Sequence, residues 1–230
     1  MATVNAGKYG YIVGTISSSW ATARTSGNTA TNQPTTNGYP TQVRLSSGRG
    51  GDSYWVRRFF AAFDVSAYAS GYTISDLTFN FRSDDVGSGS VGGIVVESTA
   101  QGNADTDLSA SDFWSDIDMS TTYSSNFNWP DSDSDISVDL NSTAEGEFSN
   151  SYLRIAVVEY EYDYPGTAPL VASNSYGYMN WQTNNSGYVP YISFTATATG
   201  YGNAVAGVAS SSIGEVINVA SANIGEVIGA

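Results

Sequence analysis

The chain has 230 residues but no cysteine and no histidine. Without cysteine there is no disulfide and no thiolate-bound metal. Without histidine there is no imidazole triad, proton shuttle or histidine-ligated zinc. One lysine, Lys8, and seven arginines stand against 22 acids, for a formal charge of −14. Such a chain repels phosphate backbones, which argues against nucleic acid as a partner. Apolar runs all fall far short of the ~20 residues that a membrane helix needs, so no membrane is expected either. No basic stretch followed by an apolar run opens the chain, so no secretory signal is visible. The composition is extracellular in kind; release by cell lysis, or removal of a leader, reconciles the two.

Charge is also scarce overall, at 13% of residues, against roughly 25% in an ordinary domain. Polarity comes instead from 34 Ser, 21 Thr and 24 Gly. Aromatic residues at 13% and hydrophobic residues at 41% supply ample surface for one folded core. The dominant period is two. Leu77, Phe79 and Phe81 alternate with Thr78, Asn80 and Arg82, and the same holds for Ile136, Val138 and Leu140. Leu153, Ile155 and Val157, then Ile192 and Phe194, repeat the pattern. Each reads as a strand with one buried face. Further strands are predicted at 9–16, 41–45, 54–65, 91–98 and 176–182, with turn-forming clusters between them. The best helical candidate is the short stretch 109–117. Residues 25–40 read as a polar surface loop. The expected class is all-β, an antiparallel jelly-roll-like β-sandwich over residues 1–200.

Residues 201–230 form a separate tail. Within it, 208–218 and 219–229 match at eight of eleven positions. A fixed period of this kind marks stacked units. Glycines and Ile/Val pairs oppose helix, so short extended pieces with tight turns are expected. Val208, Ile213, Val216, Ile217, Ile224, Val227 and Ile228 cannot be buried by two such units alone. They need copies of the chain or another protein, which makes them the predicted assembly residues.

Acids are unevenly placed. Residues 100–165 hold 14 of the 22 with one base, Arg154. Asp131, Asp133 and Asp135 alternate along one extended segment, a conceivable Ca2+ site if other oxygens converge. An EF-hand is excluded, since Ile136 and Ser142 stand where glycine and glutamate are required. Asp105 with Asp107, and Asp116 with Asp118, are weaker versions. Solvated acidic loops explain all three equally simply, and no cofactor is expected. Glu97, Glu159 and Glu161 are the internal carboxylates from which a glycosidase pair could be drawn. No signature sets an acid against a base, so no enzymatic activity is expected. Five tryptophans (Trp20, Trp55, Trp114, Trp129 and Trp181) and 16 tyrosines offer flat faces for sugars, or simply for the core and subunit contacts. Arg57 and Arg58 are adjacent in one strand, so one faces the core and needs a partner, with Asp64 and Asp76 as candidates. Asn141 and Asn184 match the N-glycosylation pattern, as chance allows in a chain this rich in Ser, Thr and Asn.

Three stretches carry a first resemblance. Arg57-Arg58-Phe59-Phe60-Ala61-Ala62-Phe63-Asp64-Val65-Ser66 precedes the Gly71–Phe81 alternating strand, and Tyr188–Thr195 closes the set. Together they resemble the DNRLRE and disaggregatase-related β-sandwich modules, though Phe59 and Ala61 stand where leucine is usual. Ser18-Ser19-Trp20-Ala21-Thr22-Ala23-Arg24, then Ser47-Gly48-Arg49-Gly50-Gly51, and the terminal repeats resemble virion proteins of tailed phages. Glu215 and Glu226 replace the frequent lysine there. The resemblance implies a structural protein on the virion surface, made in the host cytoplasm. It would decorate or cement the capsid, or form a head or tail fibre. Its expected partners are itself, as a homotrimer, and virion proteins such as the major capsid protein. The alternative is a carbohydrate-recognition or receptor-binding module on a virion or cell surface, with glycans as partners.

Overall fold

The computed structural model describes residues 1–34, 38–49, 51–83, 92–129, 134–170, 173–179, 188–199, 215–216 and 219–220. In chain order the elements begin with β1 (Ala2–Asn5), β2 (Lys8–Gly14), α1 (Trp20–Thr25), β3 (Gly27–Asn32), β4 (Gly38–Gly48) and β5 (Gly51–Asp64). They continue with β6 (Tyr72–Ser83), β7 (Gly92–Ser98), α2 (Asp112–Ser115), β8 (Ile117–Thr122) and β9 (Phe127–Asn128). The last are β10 (Ser134–Asp139), α3 (Ser142–Gly146), β11 (Tyr152–Glu159), β12 (Ser173–Met179), β13 (Tyr191–Ala198), β14 (Glu215–Val216) and β15 (Val219–Ala220). The protein is an all-β antiparallel sandwich.

Strand β5 organises it. Its first half pairs with β4, from Gly51 opposite Gly48 to Arg57 opposite Gln42. Its second half pairs with β2 through Arg57–Ala62 and with β11 through Phe59–Asp64. β7 continues from β11, and β3, β8 and β9 close the edges of this layer. The facing layer runs β1–β13–β6 with β10 on the other side of β6. β12 joins the two by pairing with β4 and, at Met179, with Ser83 of β6.

The alternating residues meet between the layers. Phe59, Phe63, Val95, Ile155 and Val157 pack against Leu77, Phe79, Val138, Ile192 and Phe194 in one cluster. Phe79 lies 6.0 Å from Phe59, 6.3 Å from Phe63 and 5.2 Å from Phe81, centroid to centroid. One residue breaks the period to serve it. Asp76 has φ +54°, and the register against β13 slips between Ser193 and Thr195. The extra residue on β6 is a bulge, and it lets both Ile74 and Leu77 reach the same core. Aspartate tolerates the left-handed region better than most residues, which suits it to this place.

The expectation of one buried face per strand holds for β10 and β13 but not for β5 and β11. Leu153 and Ile155 through Glu159 are all buried, as are Arg58 through Phe63. A second cluster lies on the far face: Ile12, Val56, Phe60, Ile94, Val96, Ala156 and Val158 packed under Ala23, Leu108 and Phe113. The cover is α1, α2 and the segments around them. Helix α2 lies inside the predicted 109–117 stretch, while α1 and α3 were not anticipated. Their signals were a Ser19 cap accepting from the Thr22 amide and an Asn141 cap accepting from the Thr143 and Ala144 amides. The predicted loop 25–40 is also corrected. Gly27–Asn32 is an edge strand paired with β2, favoured by its two threonines. Glycine is required at its start, because a Cβ on Gly27 would strike the Ala110 carbonyl and Phe113.

Phe79 is completely buried among three other aromatic rings. Its replacement by alanine is expected to cost about 3–5 kcal/mol in urea unfolding; a loss below about 1 kcal/mol contradicts this core assignment.

Candidate functional site

The predicted arginine partner is corrected first. Arg58, on the face shared with Val56 and Phe60, is fully buried. It pairs with neither Asp64 nor Asp76. Its Nε donates to Asp163 Oδ2 at 2.7 Å, and a terminal nitrogen donates to Asp163 Oδ1 at 2.7 Å. That nitrogen also donates to the Arg24 carbonyl at 2.9 Å, and the other reaches the Phe113 carbonyl at 2.6 Å. The guanidinium lies 4.3 Å from the Phe113 ring centroid and 5.1 Å from that of Trp114. Arg24 adds bonds of 3.0 and 2.8 Å to the Asp163 carbonyl and sits 4.7 Å from the Trp114 centroid. Asp64 is otherwise occupied. It accepts from Ser66, and hydrogen bonds from that residue's side chain first and its amide second hold the carboxyl below the usual range. Asp76 serves the bulge and accepts from Ser75 Oγ.

Asp163 sits in a turn that sequence alternation disguises as strand. Tyr160 and Tyr162 alternate with Glu159 and Glu161, yet β11 ends at Glu159. The Glu159 carboxylate is buried and accepts from the amides of Glu161, Tyr162 and Asp163 at 2.9, 2.7 and 3.1 Å. Glu159 and Glu161 therefore do not share a strand face. The Pro165-Gly166 pair was the available sign of a turn, and Trp20 Nε1 donates to the Gly166 carbonyl at 3.0 Å.

The third glutamate, Glu97, lies opposite Asp118 across β7 and β8. Burial pushes its carboxyl up, and Glu147 and Asp118 add to the effect, against Arg154 and a hydrogen bond from Thr121. Burial, with the same glutamates, also raises the Tyr123 phenol well above its ordinary value. Asp118 is shifted the other way. It accepts from Ser120 N, Ser120 Oγ and Thr121 Oγ1, which fastens a bulge in β8 and lowers its pKa. Asp116 is raised, by burial first and then by Asp112.

Of the proposed cation ligands, Asp131 and Asp133 lie outside the described residues. Asp135 is exposed and forms an ion pair with Arg82 at 3.0 Å. Asp107 pairs with Lys8 at 2.8 Å. Among the described residues no three acids converge as a metal site does. Asn141 is held as a helix cap and donates to the Thr122 carbonyl, whereas Asn184 lies outside the described residues. Of the tryptophans, Trp129 is buried beside Phe81, while Trp20, Trp55 and Trp114 are half-buried. Trp20 meets Tyr54 edge-on and Trp55 carries Arg44. Trp181 lies outside the described residues. In the tail, Glu215 pairs with Ala220 and Val216 with Val219, antiparallel. Val208, Ile213, Ile217, Ile224, Val227 and Ile228 lie outside the described residues.

Among the described residues, two surface depressions stand out. The smaller, about 80 Å³, lies between β6, β10 and the segment 188–191, where Arg82 covers the Tyr188 ring at 4.7 Å. The larger, about 490 Å³, opens beside the turn after β11, against β7 and β9. Of its lining residues the sequence pointed to Glu161 as a candidate carboxylate, but not to Asn126, Asn128 or Tyr164. No protein-family model matches the chain, and no curated protein matches it in sequence.

The raised Glu97 carboxyl gives a signed pH prediction. A carboxyl held above its unfolded value disfavours the folded state while charged. That penalty disappears as pH falls through the raised folded value to the unfolded one, near 4.3 in ~model peptides. Glu97→Gln is therefore expected to stabilise at pH 7, by less than about 1 kcal/mol given partial exposure. The advantage should vanish below about pH 4. Urea unfolding at the two pH values checks it, and a variant less stable at pH 7 contradicts it.

Proposed function

We propose that this chain is a non-enzymatic structural component of a tailed-phage virion. In this reading it decorates or cements the capsid, or forms a head or tail fibre. A jelly-roll-like body over residues 1–200 carries a docking tail at 201–230. The observation that carries the reading is the near-identical eleven-residue duplication, with seven apolar residues that two short units cannot bury by themselves.

The body suits an exposed structural role. Its central strands are buried on both faces, and its aromatic residues are largely drawn into two cores. The 14 acids and single base of residues 100–165 give it most of its net negative charge, which keeps copies apart except where apolar contacts hold them. Two carboxylates that the sequence offered for chemistry, Glu159 for hydrolysis and Asp118 for a cation, are engaged in local structure. Glu159 takes three amides and Asp118 takes one amide and two hydroxyls. The stretches whose pattern resembles phage virion proteins lie in the body as well as the tail, which favours this reading.

A closed trimer is the expected assembly, with Val208, Ile213, Val216, Ile217, Ile224, Val227 and Ile228 meeting their counterparts, and the major capsid protein as the further partner. No Ca2+ or other cofactor enters this scheme. Light scattering on the full chain and on residues 1–200 tests it. The full chain should run as a trimer, and the shortened chain as a monomer with an unchanged unfolding midpoint. A monomeric full chain, or a trimer that survives the deletion, contradicts the role given to the tail.

A further inference from the structure

We infer that the larger depression is a binding subsite for a neutral hexopyranose unit of a glycan. Its volume, about 490 Å³, falls in the range of sites that take small ligands. One wall is aromatic: the rings of Tyr160 and Tyr164 stack at 5.8 Å with 14° between their planes. Tyr160 is 38% exposed, one of the few large apolar side chains that the fold leaves outside. The other wall is polar. Asn126 and Asn128 are exposed, and their amides make no hydrogen bond among the described residues. Glu161 is exposed at the rim.

A pyranose whose hydroxyls are mostly equatorial has two apolar C–H faces and a polar rim. The faces suit the electron-rich surface of a tyrosine ring. The rim needs groups that donate and accept at once, which primary amides do. No basic side chain lines the depression, so phosphate, sulfate and carboxylate ligands find no counter-charge. Glu161, within the acidic stretch 100–165, repels them further. The site thus selects neutral sugars over uronates.

The platform is also pre-set, which lowers the ordering cost of binding. The Tyr160 amide donates to the Gly92 carbonyl at 2.9 Å, and the Tyr164 amide donates to the Glu159 carbonyl at 2.9 Å. Gly92 lets the turn pack closely, since a Cβ there would come 3.0 Å from the Tyr160 Cβ and push on the platform. Behind the turn, Asp163 is anchored to Arg58 and Glu159 grips three amides. This inference is independent of the assembly reading, because a chain that never oligomerises still presents the depression.

Saturation-transfer NMR on the full chain tests it. The neutral probes are the β-linked tetrasaccharides of glucose, galactose and N-acetylglucosamine; tetragalacturonate is the acidic control. At least one neutral probe at ~5 mM should receive transfer at its ring C–H protons, as expected of millimolar affinity. Tyr160→Ala should reduce that transfer about fivefold and Tyr160→Phe should keep it, because the ring and not the hydroxyl makes the contact. Asn128→Ala, on an exposed side chain, should reduce it about threefold and decides the matter if Tyr160→Ala fails to fold. Transfer to none of the neutral probes overturns the inference. So does equal transfer to tetragalacturonate, or a signal unchanged in the folded Tyr160→Ala or Asn128→Ala chain.

Discussion

The Arg58–Asp163 pair is the interaction on which the second half of this structure depends. Both side chains are wholly removed from water. Two charges in that position are costly unless their geometry is good and their remaining donors and acceptors are met. Here two bonds of 2.7 Å join them side by side, and two carbonyls take further guanidinium donors. Each of those carbonyls belongs to a different segment of the cover, Arg24 at α1 and Phe113 at α2. One side chain on the central strand thus ties down two short helices and the turn after β11. None of the three is long enough to hold itself in place. Only arginine can do this, because its planar fork offers five donors in fixed directions where lysine has a point charge.

From that anchor the molecule acquires a third layer. The sandwich core between β5–β11 and β6–β13 needs only alternating hydrophobic strands. The far face of β5 and β11 needs a lid, and the lid is polar-rich chain that hydrophobic burial alone does not fix. Capping side chains and the ion pair supply what burial lacks: Glu159 for its turn, Ser19 for α1 and Asp118 for the β8 bulge. Several acids in the negative stretch 100–165 therefore act on neighbouring backbone rather than on a shared cation. The same arrangement fixes Tyr160 and Tyr164 as a platform at the protein surface.

The two-residue period made the all-β class and the main strands legible, with β6, β10, β11 and β13 read from Leu77–Phe81, Ile136–Leu140, Leu153–Val157 and Ile192–Phe194. It could not reveal whether a strand is covered once or twice. Ala156 and Val158 looked like the outer face of β11, and only Val96, Phe60 and Ile94 across the sheet show that they are inside. The need of one arginine for a buried partner was readable from the Arg57–Arg58 pair. Its identity was not, because Asp163 is 105 residues away and lies beyond the strand that the Glu/Tyr alternation implied. Edge strand β3 was missed for a related reason: Thr29 and Thr31 favour strand, but the small Ala30 alone marks the face that packs on the second cluster. The tyrosine platform went unread because its two walls come from segments some thirty residues apart.

A double-mutant cycle on Arg58 and Asp163 tests this account most directly, with Arg58→Met and Asp163→Leu made singly and together and stability read by urea unfolding. Each single change should cost about 3–5 kcal/mol by stranding a buried charge. The double change should cost no more than the worse single one, a coupling of about 3 kcal/mol or greater. Single losses below about 1 kcal/mol, or losses that simply add, would show that the lid is held by something other than this pair.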